Sequence, residues 1–251
     1  MSIAHLFVAP EINDLDSFSF ILDKIEPDFD SNILDAKLGP CSKRVKSMFR
    51  DLLAEARETA RPKAAFKACR VNRIGGGLTF LDDAMFNSRL LHFNLRECDL
   101  AFAFVATEGG ELAAWAEKLS GARRALAWYI RYAALKLAEK KMNSFIRLSF
   151  GLEQLSIMNP GVLKYWPKEE QGVMFNLLNP LPENIGVKLM SNSWMAPDLA
   201  STGIFFETKS KFYNCQLCPL TPCEHRKTNY LGPWEEEHIE VIALIEPQNY
   251  L

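Results

Sequence analysis

Residues 185–227, IGVKLMSNSWMAPDLASTGIFFETKSKFYNCQLCPLTPCEHRK, hold the widest mix of signals in the chain. The stretch opens on a strand-like segment and passes through a Met195-Ala196-Pro197 turn and a small-residue step at Ser201, Thr202 and Gly203. It ends on Cys215, Cys218 and Cys223, with His225 two residues further on. Thiolates separated by two and by four residues lie close enough in the chain to close on one metal centre. Either an iron-sulfur cluster or a zinc ion suits three such ligands. His225 would complete a tetrahedral zinc site, and a cubane cluster would need a fourth ligand from Cys41, another scattered cysteine or a second chain. A cluster of cysteines with no metal is the third reading. Along the chain strand and helix signals mingle without a regular strand-helix repeat, which favours one α+β domain over a doubly wound one.

Working outward, composition limits the classes of function. The chain has 251 residues, 48% of them hydrophobic, enough for a large core. Lysine and arginine number 29 against 31 acidic residues, a net charge of −2, so no broad basic surface calls for nucleic acid or an anionic membrane. The opening MSIAHLFVAPEI lacks a basic leader, and no apolar run approaches the ~18 residues of a membrane span. A cytoplasmic protein is expected. Six cysteines there read as thiols or metal ligands. Cys69 and Cys98, in apolar strand-like surroundings, read as small buried hydrophobes.

Upstream, residues 1–36 are expected to be a lead-in segment carrying no chemistry, and 37–251 the functional domain, with its cysteine cluster at 215–226. Val45, Met48, Phe49, Leu52, Leu53 and Ala56 predict an amphipathic helix over 43–60. Strands are predicted at 63–71 and 78–81, joined by Gly75, Gly76 and Gly77. Leu78, Thr79 and Phe80 follow the last glycine, so the glycines make a hairpin turn and not a phosphate loop. A helix is predicted over 82–94, then a strand buried on both faces in CDLAFAFVAT. Two further helices follow, at 111–119 and 123–147, the longer with a core stripe of Leu126, Tyr129, Ile130, Ala133 and Leu137. The Lys-rich run EKKMNSFIR reads as a solvated face. A strand, an Asn-Pro-Gly turn at 159–161 and a helix opened by Pro167 lead to the stretch above. The tail EEEHIEVIALIEP predicts a last strand.

The order of these segments resembles the activation domain of cobalamin (vitamin B12)-dependent methionine synthase, and most of all free-standing proteins similar to it that end in CxxCx4CxxR. The resemblance is carried by Asn159, Pro160, Gly161, Trp166, Pro167, Glu169, Glu170, Gln171, Phe175, Leu177 and Leu178. It continues through Ile185, Gly186, Val187, Leu189, Met195, Pro197, Ser201, Gly203 and Ile204 to Cys215, Cys218, Cys223 and Arg226. More loosely it reaches back to residue 37 through KLGPCSKRVKSMFRDLLAEARETARPKAAF and CDLAFAFVATEGGEL.

That resemblance implies a helmet-shaped α+β domain with a central twisted antiparallel sheet flanked by helices. It implies a cap for the cobalamin-binding module of methionine synthase or another corrinoid protein, to which S-adenosylmethionine is presented as methyl donor. One electron from a low-potential donor, coupled to methyl transfer, then restores methylcobalamin from cob(II)alamin. The need for low-potential electrons favours an iron-sulfur cluster over zinc at Cys215, Cys218 and Cys223. Pro160, Gly161, Met195, Ser201, Gly203, Glu139 and Tyr213 fall on or near the family's ligand-binding positions. The small side chains at Ala200, Ser201 and Gly203 suit either a flat ligand or a tightly packed sheet. The family's motif of Arg, three residues, Gly, Tyr is broken, with Ile157 and Val162 at the arginine and tyrosine positions. This removes a guanidinium fork for the ligand carboxylate and keeps open a corrinoid-protein adaptor that needs no S-adenosylmethionine. A metal-stabilised interaction domain is the third alternative.

Overall fold

A computed structural model of the protein describes residues 18–29, 41–74, 77–223 and 225–233. In chain order the elements are β1 (Ser19–Leu22), α1 (Lys43–Thr59), β2 (Lys63–Ile74), β3 (Leu78–Leu81), β4 (Ala84–Asn87) and α2 (Arg89–Asn94). They continue with β5 (Leu100–Thr107), α3 (Gly110–Glu117), α4 (Gly121–Phe150), β6 (Leu155–Met158), α5 (Gln171–Leu178) and α6 (Leu181–Asn184). A small hairpin of β7 (Lys188–Leu189) and β8 (Met195–Ala196) precedes β9 (Ala200–Glu207).

Seven strands form one sheet in the order β4-β3-β2-β5-β9-β6, with β1 also paired to β2. Every pairing is antiparallel. This is the expected α+β class, a central antiparallel sheet flanked by helices. Side chains alternate across it. Phe66 and Phe104 lie in the cluster beneath α4, whereas Ala65, Val105 and Phe206 lie in the opposite cluster with α2 and α5. Both faces are covered, which is why β5 is buried almost throughout its length, as its near-continuous apolar run predicts. The lead-in segment supplies β1, with Phe20 registered opposite Phe66. The C-terminal strand predicted in 235–247 lies outside the described residues, as do Gly75 and Gly76 of the β2–β3 turn.

Two expectations change. Over 82–94 the chain forms β4 and then α2 instead of one helix. Asp82 adopts φ +50 and is tied to β2, its N–H donating to the Arg70 carbonyl and its carboxylate accepting from the Arg70 N–H, so the chain reverses into a hairpin. Helix begins only after Ser88, whose hydroxyl caps it by accepting from the Leu91 N–H at 3.1 Å. In α4 no single stripe is buried. Leu126, Ile130 and Ala134 pack against α1 and α3, while Leu135, Ala138, Met142 and Ile146 pack on the sheet. Tyr129, Ala133 and Leu137 are only half-buried. The helix bridges two cores and turns a different side to each, which defeats a one-stripe reading. Lys140 and Lys141 are exposed, as the Lys-rich run predicts.

Arg131 of α4 donates through Nε to the fully buried Glu108 carboxylate at 2.8 Å and also pairs with Asp198. That ion pair fixes the end of β5 and the approach to β9 against α4.

Candidate functional site

The β6 edge of the sheet gathers most of the predicted site residues. Asn159 follows β6 and donates from Nδ2 to the Ser201 hydroxyl at 3.3 Å and the Thr202 carbonyl at 2.7 Å. Its Oδ1 accepts from Asn214 Nδ2 at 3.1 Å, which ties the Asn-Pro-Gly turn to the start of the cysteine loop. The Pro160 carbonyl accepts from Gln171, whose other end accepts from the buried Thr202 hydroxyl. Gly161 turns at φ +81, and its N–H donates to the Trp166 carbonyl at 2.8 Å. A Cβ there would meet the Lys168 side chain at 2.7 Å. Pro160, Gly161, Ser201 and the residue after Tyr213 thus belong to one hydrogen-bonded unit.

Gly203 has a different role in that unit. A Cβ at this position would lie 2.4 Å from the Met158 carbonyl oxygen, 2.7 Å from Asn159 Nδ2 and 2.8 Å from the Phe104 ring. Protein atoms fill the space over this glycine, so its small size serves the join of β5, β9 and β6. Met195 pairs with Leu189 in the β7–β8 hairpin and packs, half-buried, on the α5-side core. The tip of that hairpin leaves Met190 and Trp194 exposed, and Lys168 lies over the Trp194 ring at 5.5 Å.

The cysteine loop wraps the β6 edge. Phe212, Leu217 and Cys218 join the core on the α5 side, whereas His225 lies against Tyr132 of α4, 4.3 Å between rings, on the other side. The Phe212 N–H donates to the Ser156 hydroxyl at 2.7 Å, which starts the loop along β6. Arg226 closes it. Its guanidinium donates to the carbonyls of Cys215 at 3.1 Å, Cys218 at 3.0 Å, Leu220 and Thr228. Among the described residues, no group of three or more His, Cys, Asp or Glu side chains is placed to hold a metal ion. An iron-sulfur or zinc centre on Cys215, Cys218 and Cys223 is therefore not supported, and the loop's carbonyls are tied together by the Arg226 guanidinium. His225 is engaged in ring contacts with Tyr132 and Trp128. Cys41 packs in the separate α1/α3 core, and Cys98 donates to the Glu207 carbonyl at 3.3 Å. Cys69 is fully buried in the sheet, as its surroundings predict, and burial pushes its thiol up to about 12.

Where the loop crosses α4, charged groups collect. Lys136 donates to Glu139 Oε2 at 2.6 Å, and Glu139 is only 8% exposed. Its other oxygen is shielded from water and has no hydrogen-bond partner. The Lys227 N–H donates to Cys215 Sγ at 3.4 Å. Partial burial and the nearby Lys136 charge hold the Lys227 amine below its ordinary range, against the pull of Glu139. Burial acts on Lys136 too, but the charges of Glu139 and Tyr132 outweigh it and leave its amine above the usual lysine range. Burial raises the Tyr132 phenol, assisted by Glu139, Cys223 and Cys215. His225 of the loop thus meets Tyr132 and Trp128 of α4, and Lys136 pairs with Glu139 further along that helix. Asn159, Gln171 and Lys136 are the members that sequence reasoning missed. For Asn159 and Gln171 a signal existed, since both sit inside the motif series, but nothing local marks Lys136.

No family model matches the chain, and no curated protein matches it in sequence. In fold it is similar to a solved structure of the MetH reactivation domain bound to AdoHcy, with a TM-score of 0.58 and 17% identity. The likeness covers 79% of this chain and 81% of that one and speaks for a shared fold.

Proposed function

We propose that the protein is a reactivation cap for a corrinoid-dependent methyltransferase, a methionine synthase or a relative of it. It docks on the partner's cobalamin-binding module and presents S-adenosylmethionine to cob(II)alamin while a low-potential donor supplies one electron. The transferred methyl group ends on cobalt, and S-adenosylhomocysteine leaves. One-electron reduction of cob(II)alamin is uphill, and methyl capture draws it forward. The observation that carries this reading is the joining of the Asn-Pro-Gly turn, β9 and the cysteine loop through Asn159, on a fold shared with a reactivation domain. Pro160, Gly161, Ser201 and Tyr213 border the ligand in this reading, and Glu139 and Met195 flank it.

The test uses the purified protein, a cognate cobalamin module in the cob(II) state, S-adenosylmethionine and a low-potential reductant, with absorbance reporting methylcobalamin. Recovery at least tenfold faster than without the protein is expected, and equal rates refute the reading.

One observation favours the adaptor as a second reading. Ile157 is registered opposite Phe205 and packs with the α4-side core, so the position of the family's arginine contributes to packing, and Val162 is exposed. An adaptor would bind the corrinoid module and show no heat with S-adenosylmethionine in calorimetry.

A further inference from the structure

We propose that Cys215 and Cys218 form a thiol–disulfide exchange pair, a redox site whose substrate is a low-molecular-weight disulfide. The pair goes beyond the reactivation reading and stands whether or not that reading does.

The first observation is the local backbone. The N–H groups of Gln216, Leu217 and Cys218 donate in turn to the carbonyls of Tyr213, Asn214 and Cys215, at 2.9, 3.2 and 3.4 Å. Successive bonds of this kind, each reaching back three residues, make a turn of 3₁₀-helix, in which side chains at i and i+3 eclipse. Cys215 and Cys218 stand at that spacing, so both thiols leave the turn on the same side. One such turn rises about 6 Å, inside the Cα separation that a disulfide bridges. The second observation is the clamp on the pair. Arg226 donates to the carbonyls of both cysteines, at 3.1 Å and 3.0 Å, and the Lys227 N–H donates to Cys215 Sγ at 3.4 Å. The backbone of each cysteine and one of the two sulfurs are therefore fixed before any bond forms, which removes much of the entropic cost of closing it. The third is access. Both thiols are free and half-buried, open to a small reagent, and Cys223 stands outside the turn, five residues beyond Cys218. Among the described residues no group of three ligating side chains competes for the two sulfurs by binding a metal.

In the exchange, one cysteine sulfur gives its proton to solvent, attacks the small disulfide and expels one thiol, leaving a mixed disulfide. The neighbouring sulfur attacks that bond and expels the second thiol. Two protein S–H bonds are replaced by one S–S bond and the incoming S–S bond by two S–H bonds, so two electrons and two protons pass from the protein to the reagent. The turn starts at Asn214, whose Nδ2 donates to Asn159 Oδ1, which puts the pair one hydrogen bond from the Asn-Pro-Gly turn.

The test equilibrates the full chain, purified without air, with reduced and oxidised glutathione in varied ratio. Free thiols are then alkylated and the tryptic peptide 212–226, which carries all three loop cysteines, is weighed. With oxidised glutathione in excess, the natural protein and Cys223→Ser are expected to lose two hydrogen atoms from this peptide. Cys215→Ser and Cys218→Ser are each expected to carry a glutathione adduct on the cysteine left alone, with the internally bonded share reduced at least about tenfold. An internal bond that disappears in Cys223→Ser, or that persists in Cys215→Ser or Cys218→Ser, overturns the pairing. The proposal also fails if the natural protein shows adducts without an internal bond, shows no oxidation, or retains iron or zinc that keeps the thiols from reacting.

Discussion

Gly203 shows how little room the β6 edge has. Its Cα lies where β5, β9 and the Asn159 side chain meet, and two of the atoms a methyl group would strike, the Met158 carbonyl oxygen and the Phe104 ring, belong to rigid neighbours. Gly203→Ala should therefore cost about 3 kcal/mol by overpacking, read as a lower midpoint in urea unfolding with an unchanged slope. Cys69 gives a pH dependence. Below its ordinary value of 9.0 both folded and unfolded chains keep the thiol proton; between 9.0 and about 12 the unfolded chain loses it and the folded one retains it. Stability should fall as pH rises through that window, by about 1.4 kcal/mol per unit from this group alone. Chemical unfolding of Cys69→Ala at pH 8 and pH 10.5 should show a smaller alkaline loss than the parent, by about 2 kcal/mol. Both residues were visible in the sequence, but only as types. That Gly203 fills a three-way contact and Cys69 a sheet interior depends on which strands become neighbours, and strand order is a long-range outcome.

At the scale of elements, the cysteine loop stands on Arg226. Arg226→Lys keeps the charge but loses the fork that reaches four carbonyls. Amide exchange over 213–228 should speed up at least tenfold, and Cys215, Cys218 and Cys223 should react faster with a thiol reagent, while the sheet amides keep their protection. Unchanged loop exchange would show that the guanidinium does not hold it. Helix α4 carries the complementary lesson. Its length was legible to within a few residues at each end, because the chain from 121 to 150 holds no proline and ends on Gly151 at φ +66. Its burial was not legible, because two cores claim different sides of it. The hairpin at 81–84 was lost for a similar reason, since the bonds that turn the chain at Asp82 come from Arg70 on another strand.

For the molecule as a whole, the cap reading predicts that the Asn-Pro-Gly border faces the partner. Val162 and Trp194 are 50% and 64% exposed on that border, linked by Lys168, which contacts Gly161 and covers the Trp194 ring. Adding a cobalamin-loaded module should quench Trp194 fluorescence, because the corrin absorbs where tryptophan emits, and Trp194→Phe should abolish most of the change. Quenching that persists in the variant would place the corrin elsewhere. The α+β class, the buried strand β5, the pairing of β2 with β3 and the Asn-Pro-Gly turn were all determined by the sequence alone. Each depends on local periodicity, or on residues that restrict their own backbone, and such preferences act within a few positions. Tertiary structure alone decided that Arg226 ties the cysteine loop together, that Gly203 is a packing residue, and that His225 of the loop packs on Tyr132 of α4. Those outcomes depend on which distant groups are desolvated together, and the energy of a buried charge or an unfilled space is set by its neighbours in three dimensions.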